Sequence, residues 1–333
     1  MYSKEFTYEG IAKESGLSIA TISRVFNKSP HVKQETRERV IKAMKAIGMD
    51  PLDYDLQPVD SDRIILFNLA SLKNPFYSLI ISSSISVAAR HGYTLFLYEY
   101  DINRNNVESF IQLLKRTHVA GAIISNAMED VCIEKIAASF PVVTCCEAFT
   151  GTDVPFVSVD NKKAAENAVS YLISLGRRRI AFINGPKEFE YARSRTEGYH
   201  NAMEKAGIAI DQNLIASMGP DMDYDMAKAA AMHMLSLPDS PDAFFCISDV
   251  LATAAIKASI EMGKRVPEDV AVVGFDDIQL ASIMNPSITT VRQPRAQIGS
   301  LATEMLIKLI EGKDKPSSMY LGAEFIVRES ARF

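Results

Sequence analysis

Ile19, Ala20, Ser23 and Arg24 share one face of a short helical repeat whose other face is Ile22, Val25 and Phe26. Three small or medium side chains beside one long guanidinium suit a helix that lies in a DNA major groove and bonds to base edges. No comparable set serves catalysis. There is no GxGxxG or GxxxxGKS phosphate loop, no GxSxG elbow and no HExxH helix. The five histidines are scattered, and Cys132, Cys145, Cys146 and Cys246 form no CxxC pair. Neither a metal centre nor a redox motif nor a cofactor is expected, and the chain reads as a non-enzyme.

Three helices must position that face. The first carries Tyr8, Ile11 and Ala12, with Thr7 as N-cap and Gly16 as its stop. Ser18 caps the second, and Leu17 turns inward between them, so the pair crosses steeply as in a helix-turn-helix. The third spans about 34–47, with Val40, Ile41, Met44 and Ile47 inward. Charge sets this head apart. Residues 1–48 hold nine Lys/Arg and five Asp/Glu, net +4, while the rest of the chain is net −9, giving −5 overall. A basic head on an acidic body fits a nucleic-acid-binding module joined to something with another task; a generic three-helix bundle is the plainer alternative.

The stretch GIAKESGLSIATISRVFNKSPHVKQETRERVIKAMKAIG resembles the DNA-binding head of the lactose/galactose-repressor (LacI/GalR) family, with its SxATxSRVxN recognition helix intact. The resemblance implies that Ile19 and Ala20 read base edges and that Arg24 reaches a base. Ser18, Thr21, Ser23, Asn27 and His31 would hold phosphates, fixing register. The implied partner is a near-palindromic operator bound by a homodimer. The linker MDPLDYDLQPVDSD, 49–62, departs from the family. Where the family has a hinge helix with a leucine wedge, this chain has Pro58 and five aspartates (Asp50, Asp53, Asp55, Asp60, Asp62) before Arg63. Proline removes a helix donor and the acids repel phosphates, which favours an extended hinge; a shifted register with Leu56 as the wedge is the other reading.

Beyond Arg63, apolar runs alternate with amphipathic stretches. Candidate strands are 64–69, 93–99, 121–125, 142–146, 156–159, 179–184, 243–248, 270–275 and 288–292, and helices include 76–90, 162–175, 194–206 and 250–262. Such alternation argues for parallel sheets covered on both faces. NPFYSLI (74–80), HGYTLFL (91–97), HVAGAII (118–124), VSVDN (157–161), SRTEGY (194–199), ISD (247–249) and VAVVGFDDI (270–278) resemble the effector domain of the same family. The expected fold is α/β: an N-terminal three-helix, lambda-repressor-like helix-turn-helix domain (1–48), a hinge linker (49–62) and a two-lobed, doubly wound periplasmic-binding-protein type I effector domain (63–333). Lobe one would be about 63–160 and 293–320, lobe two about 161–292 and 321–333.

By resemblance, Asp276 accepts hydrogen bonds from a ligand and Arg195 holds a sugar oxygen or carboxylate. A buried Arg/Asp pair suits a polyhydroxylated molecule, one side donating and the other accepting. Ser248 stands where the family has asparagine, Phe76, Tyr191 and Met222 offer apolar walls, and Asp160 combines a helix cap with a ligand contact. Alternatively, Asp276 caps the next helix and Arg195 is a solvated charge. Cys146 and Glu147 replace the family's Asp-Arg pair, so no particular sugar follows. The helices near 76–90 and 294–312 are the expected dimer interface, and no heptad tail precedes Phe333. With no signal peptide in MYSKEFTYEG and no apolar run long enough for a bilayer, a cytoplasmic location away from the membrane is expected. The sum is a ligand-controlled transcriptional regulator, with a small-molecule sensor that has lost DNA binding as the alternative.

Overall fold

A computed structural model describes residues 8–27, 29, 32–49, 51, 63–313 and 316–332. The chain divides between Arg63 and Ile64 into two compact units.

The first unit holds α1 (Tyr8–Ser15), α2 (Ile19–Phe26) and α3 (Gln34–Ala46). The Ser18 hydroxyl accepts a 3.2 Å hydrogen bond from the Thr21 N–H and lies 2.8 Å from the Thr21 hydroxyl, which fixes the start of α2. Gly16 takes φ +67°, a left-handed turn that closes α1 and is strained for other residues. Ile11, Ile22, Val25, Val40, Ala43, Met44 and Met49 form the core. Arg39 donates to the Ser15 carbonyl at 2.8 Å, pinning the end of α1 to α3. The expected Thr7 cap, His31 and the hinge positions 50 and 52–62 lie outside the described residues.

The second unit contains two parallel sheets. One has the order β11-β5-β4-β3-β1-β2: β11 (Met319–Leu321), β5 (Phe156–Val159), β4 (Val142–Cys145), β3 (Val119–Ser125), β1 (Ile64–Leu69) and β2 (Thr94–Tyr98). The other is β7 (Ile215–Ser217), β6 (Ile180–Asn184), β8 (Ala243–Cys246) and β9 (Ala271–Val273), in that order. Period-two alternation places successive residues of β1 in different cores. Ile65, Phe67 and Leu69 pack under α4 (Tyr77–Arg90) and α12 (Arg295–Ile310), while Ile64 and Leu66 pack under α5 (Val107–Arg116) and α6 (Asp130–Ala137). Around the second sheet lie α7 (Asn161–Ser174), α8 (Glu190–Lys205), α9 (Tyr224–Leu235), α10 (Asp249–Glu261) and the short α11 (Gln279–Ile283).

The chain passes between the sheets after β5, between β10 (Thr290–Arg292) and α12, and between β11 and β12 (Glu324–Ile326). There β10 and β12 pair antiparallel, and Asp277 receives Arg292 and Arg328, each at 2.7 Å. In both parallel sheets the direction of strand addition reverses, between β1 and β3 and between β6 and β8, and the loops at those carboxyl ends face one cleft.

Candidate functional site

Five residues expected at the ligand site, Phe76, Tyr191, Arg195, Met222 and Asp276, line one cavity. Asn74, Tyr77, Cys146, Ser158, Asn161, Ile247 and Gln293 complete its wall. Two expected members are elsewhere. The Asp160 carboxylate accepts from the Lys163 N–H at 2.8 Å and the Ser248 hydroxyl from the Leu251 N–H at 3.2 Å, so each caps a helix and neither belongs to the lining. Their short side chains fold back onto the first turn of the helix that follows.

Arg195 is not a solvated charge: it is 4% exposed. Nη1 donates to the Ile247 carbonyl at 2.7 Å and Nε to Asn161 Oδ1 at 3.0 Å, while the guanidinium carbon lies 3.5 Å from the centroid of the Phe275 ring. Stacking and two fixed bonds hold the planar fork in place. Asp276 does not cap α11. Its Oδ1 accepts from Gln293 Nε2 at 2.7 Å, and burial raises its carboxyl to about 6 against the opposing pull of Arg195 and Gln293. No ion pair joins Arg195 to Asp276 among the described residues, so both retain capacity for a third partner.

The cavity is also where backbone strain gathers. Cys146 (φ 68°), Met222 (φ 54°) and Asp276 (φ 109°) are lining residues outside the usual range for non-glycine side chains. Such conformations cost about 1–3 kcal/mol each and persist where surrounding structure over-determines them, commonly at binding sites. The Tyr77 hydroxyl donates to the Ser125 carbonyl at 3.2 Å, and that of Ser158 to the Cys146 carbonyl at 3.3 Å. The pocket wall thus combines a guanidinium, a carboxylate and hydroxyls with the apolar side chains of Phe76 and Met222.

In the head, α2 turns Ile22 and Val25 into the core and leaves Ser18, Ile19, Ala20, Arg24 and Asn27 exposed, with Thr21 and Ser23 half-buried. Ile19 is 48% exposed, so its side chain is open to solvent on the same face as Arg24.

Residues 7–51 match the lacI family of bacterial regulatory proteins, and residues 169–331 match the periplasmic binding protein-like domain. The HTH-type transcriptional repressor CytR of Escherichia coli K12 is 33% identical over 331 residues, covering 98% of this chain and 96% of that protein. The chain belongs to the LacI family. The ribose operon repressor of Halalkalibacterium halodurans is 32% identical, with 98% and 97% covered. A solved structure titled transcriptional regulator CelR-cellobiose complex matches with a TM-score of 0.72 and 30% identity, covering 97% of this chain and 99% of its own. This LacI-family chain is therefore a DNA-binding transcriptional regulator with a helix-turn-helix head and a periplasmic-binding-protein-like body. No helix among its described residues is long and apolar enough to cross a membrane.

Proposed function

We propose that this chain is a cytoplasmic repressor whose operator affinity is set by a small polyhydroxylated molecule, a sugar or sugar derivative, held between its lobes and not turned over. The observation that carries this reading is the buried, mutually unpaired Arg195 and Asp276 on the wall of one cavity. A guanidinium supplies donors and a carboxylate acceptors, and a ligand lacking either match would leave a charge buried without a partner. Binding favours one orientation of the lobes; in a homodimer that changes the spacing of two heads. A coupling of about 1–3 kcal/mol alters operator affinity about 5- to 150-fold. The domain boundaries follow: head to residue 48, hinge 49–62, effector body from 63, with lobe one from 63–160 and 293–320.

Exposed Leu79 and Ile85 on α4, and Phe96 and Leu97 on the edge strand β2, support lobe one as the dimer face. On α12, the other helix proposed for that face, Ile298, Ala302, Met305 and Leu306 are turned into the core, where the helix packs on α4, β3 and β4.

Thermal-shift screening of sugars and sugar acids, with cellobiose and ribose among the arms, tests the ligand. Saturation at 100 times Kd stabilises by about 2.7 kcal/mol. A flat screen across all classes would refute the carbohydrate assignment. On DNA, Arg24→Ala should cost about 1–3 kcal/mol on the operator and relax specificity at one position. Equal weakening on every sequence in a titration would instead make Arg24 a phosphate contact. The acidic linker with Pro58 supports the second reading, a sensor without DNA binding. A folded protein that fails to shift a palindromic duplex at low salt would establish it.

A further inference from the structure

Glu147 lies in the loop after β4 and is 3% exposed. Its Oε2 accepts a 2.8 Å hydrogen bond from the backbone N–H of Glu190, the first residue of α8 in the other lobe. Its Oε1 is buried without a hydrogen-bond partner. A lobe-one side chain thus holds the N-terminus of the lobe-two helix that carries Tyr191 and Arg195. An anion with one bare oxygen is costly in such a place, a neutral carboxylic acid much less so. Separating the lobes would break this bond and hydrate both oxygens.

We propose that Glu147 is a proton-gated clasp between the lobes: closure takes up a proton at its carboxyl and sets α8, with Arg195 and Tyr191, against the ligand. The proposal deepens the reading of the cleft as a ligand site and rests on it. The ionisable groups around Glu147 are Glu190, Tyr191, Arg193 and Arg195 from α8, Tyr77 from α4 and the neighbouring Cys146 thiol. Burial pushes the Glu147 carboxyl up, and the Glu190 charge adds to it. The Glu190 N–H, Arg193 and Arg195 pull the other way, and the balance is about 8. Because the closed state raises this group above its hydrated value, closure is fully favoured below the ordinary carboxylate range. That advantage falls as pH rises and is lost above about 8. One proton limits the slope to about tenfold in the closed-to-open ratio per pH unit.

The test uses the full-length, ligand-free protein with one dye on each lobe, at exposed Lys115 and Lys257. Energy transfer is followed from pH 5 to 9, alongside a carbon-13 titration of the Glu147 carboxyl. Wild type should open with rising pH at up to about tenfold per unit. Glu147→Gln, a permanent mimic of the neutral acid, should stay closed with a profile that is nearly flat above about pH 7, and Glu147→Ala should be open throughout. Asp276, raised to about 6, contributes equally to wild type and Glu147→Gln, so their difference isolates Glu147. Parallel profiles for those two proteins, or a Glu147 carboxyl titrating in the ordinary range, would overturn the clasp. Failure of the sugar screen would leave these readouts untouched, so the two ideas fall separately.

Discussion

Arg195→Ala should fold, bind operator in the absence of ligand, and lose the stabilisation that any carbohydrate gives the parent protein. The side chain makes two buried hydrogen bonds and stacks on Phe275, so its fork is in place before a ligand arrives. Removing a charged donor from its hydrogen bonds costs about 1.5–3 kcal/mol, a loss of about 10- to 150-fold in affinity. A second effect has the same sign. The Arg195 charge holds the Asp276 carboxyl down against burial, and without it that group rises further above about 6. More of it is then protonated near neutrality, and the anionic acceptor is weakened together with the loss of the donor. Arg195→Lys should be nearly as damaging, since an ammonium reproduces neither the fork nor the stacking. An unchanged thermal shift and an unchanged Kd in Arg195→Ala would remove this residue from the site.

The second large effect is on stability. Gly198 lies inside α8, where exchange for alanine ordinarily stabilises a helix by about 1 kcal/mol. Here a Cβ would sit 2.3 Å from the Lys162 carbonyl oxygen and 2.8 Å from the Glu166 nitrogen, both backbone atoms of the adjoining α7 region. No rotamer relieves a clash with backbone, so the two helices must move apart. Overpacking costs about 1–3 kcal/mol and sometimes more. The contact is shorter than real Cβ atoms tolerate, so Gly198→Ala should lower stability by a net of about 2 kcal/mol. At about 2–4 °C per kcal/mol for a unit of this size, calorimetry should show a Tm some 4–8 °C lower. A rise in Tm would mean that helix propensity outweighs the steric term.

Much of the fold is legible in the sequence because β-branched runs mark the central strands: β1 and β5 lie where the runs place them, and the others differ by one or a few residues. What escapes is short and only partly buried. β7, β11 and β12 have three residues each, half-buried or exposed, so they carry no continuous apolar signature. α8 begins at Glu190, four residues before the expected start, because Glu190, Tyr191 and Arg193 break the apolar stripe.

The cavity wall is read less completely. Asn74 and Tyr77 lie in NPFYSLI, and Ser158 and Asn161 in VSVDN, yet those strings mark the fold without saying which side chains converge. Gln293 stands between Arg292 and Pro294 with no periodicity to single it out, and its role comes from the crossover that swings it to Asp276. Asp160 makes the helix cap expected of it, and Ser248 does the same for α10, while neither lines the cavity. A serine or aspartate just before a helix serves the helix first, and only geometry shows whether anything remains for a guest. Glu147 is visible as an oddity of sequence, but its grip on α8 exists only once the two lobes face each other.

The edge strand β11 lies along β5, from which it is separated by some 160 positions, and the Ser84 hydroxyl of α4 reaches the Gly299 carbonyl of α12. The first lobe is therefore begun before the second lobe's sheet is made and completed only after it. A nascent chain emerging from the ribosome exposes the flank of β5 and the apolar underside of α4 until the whole second lobe has been made, the interval in which unpaired strands invite aggregation.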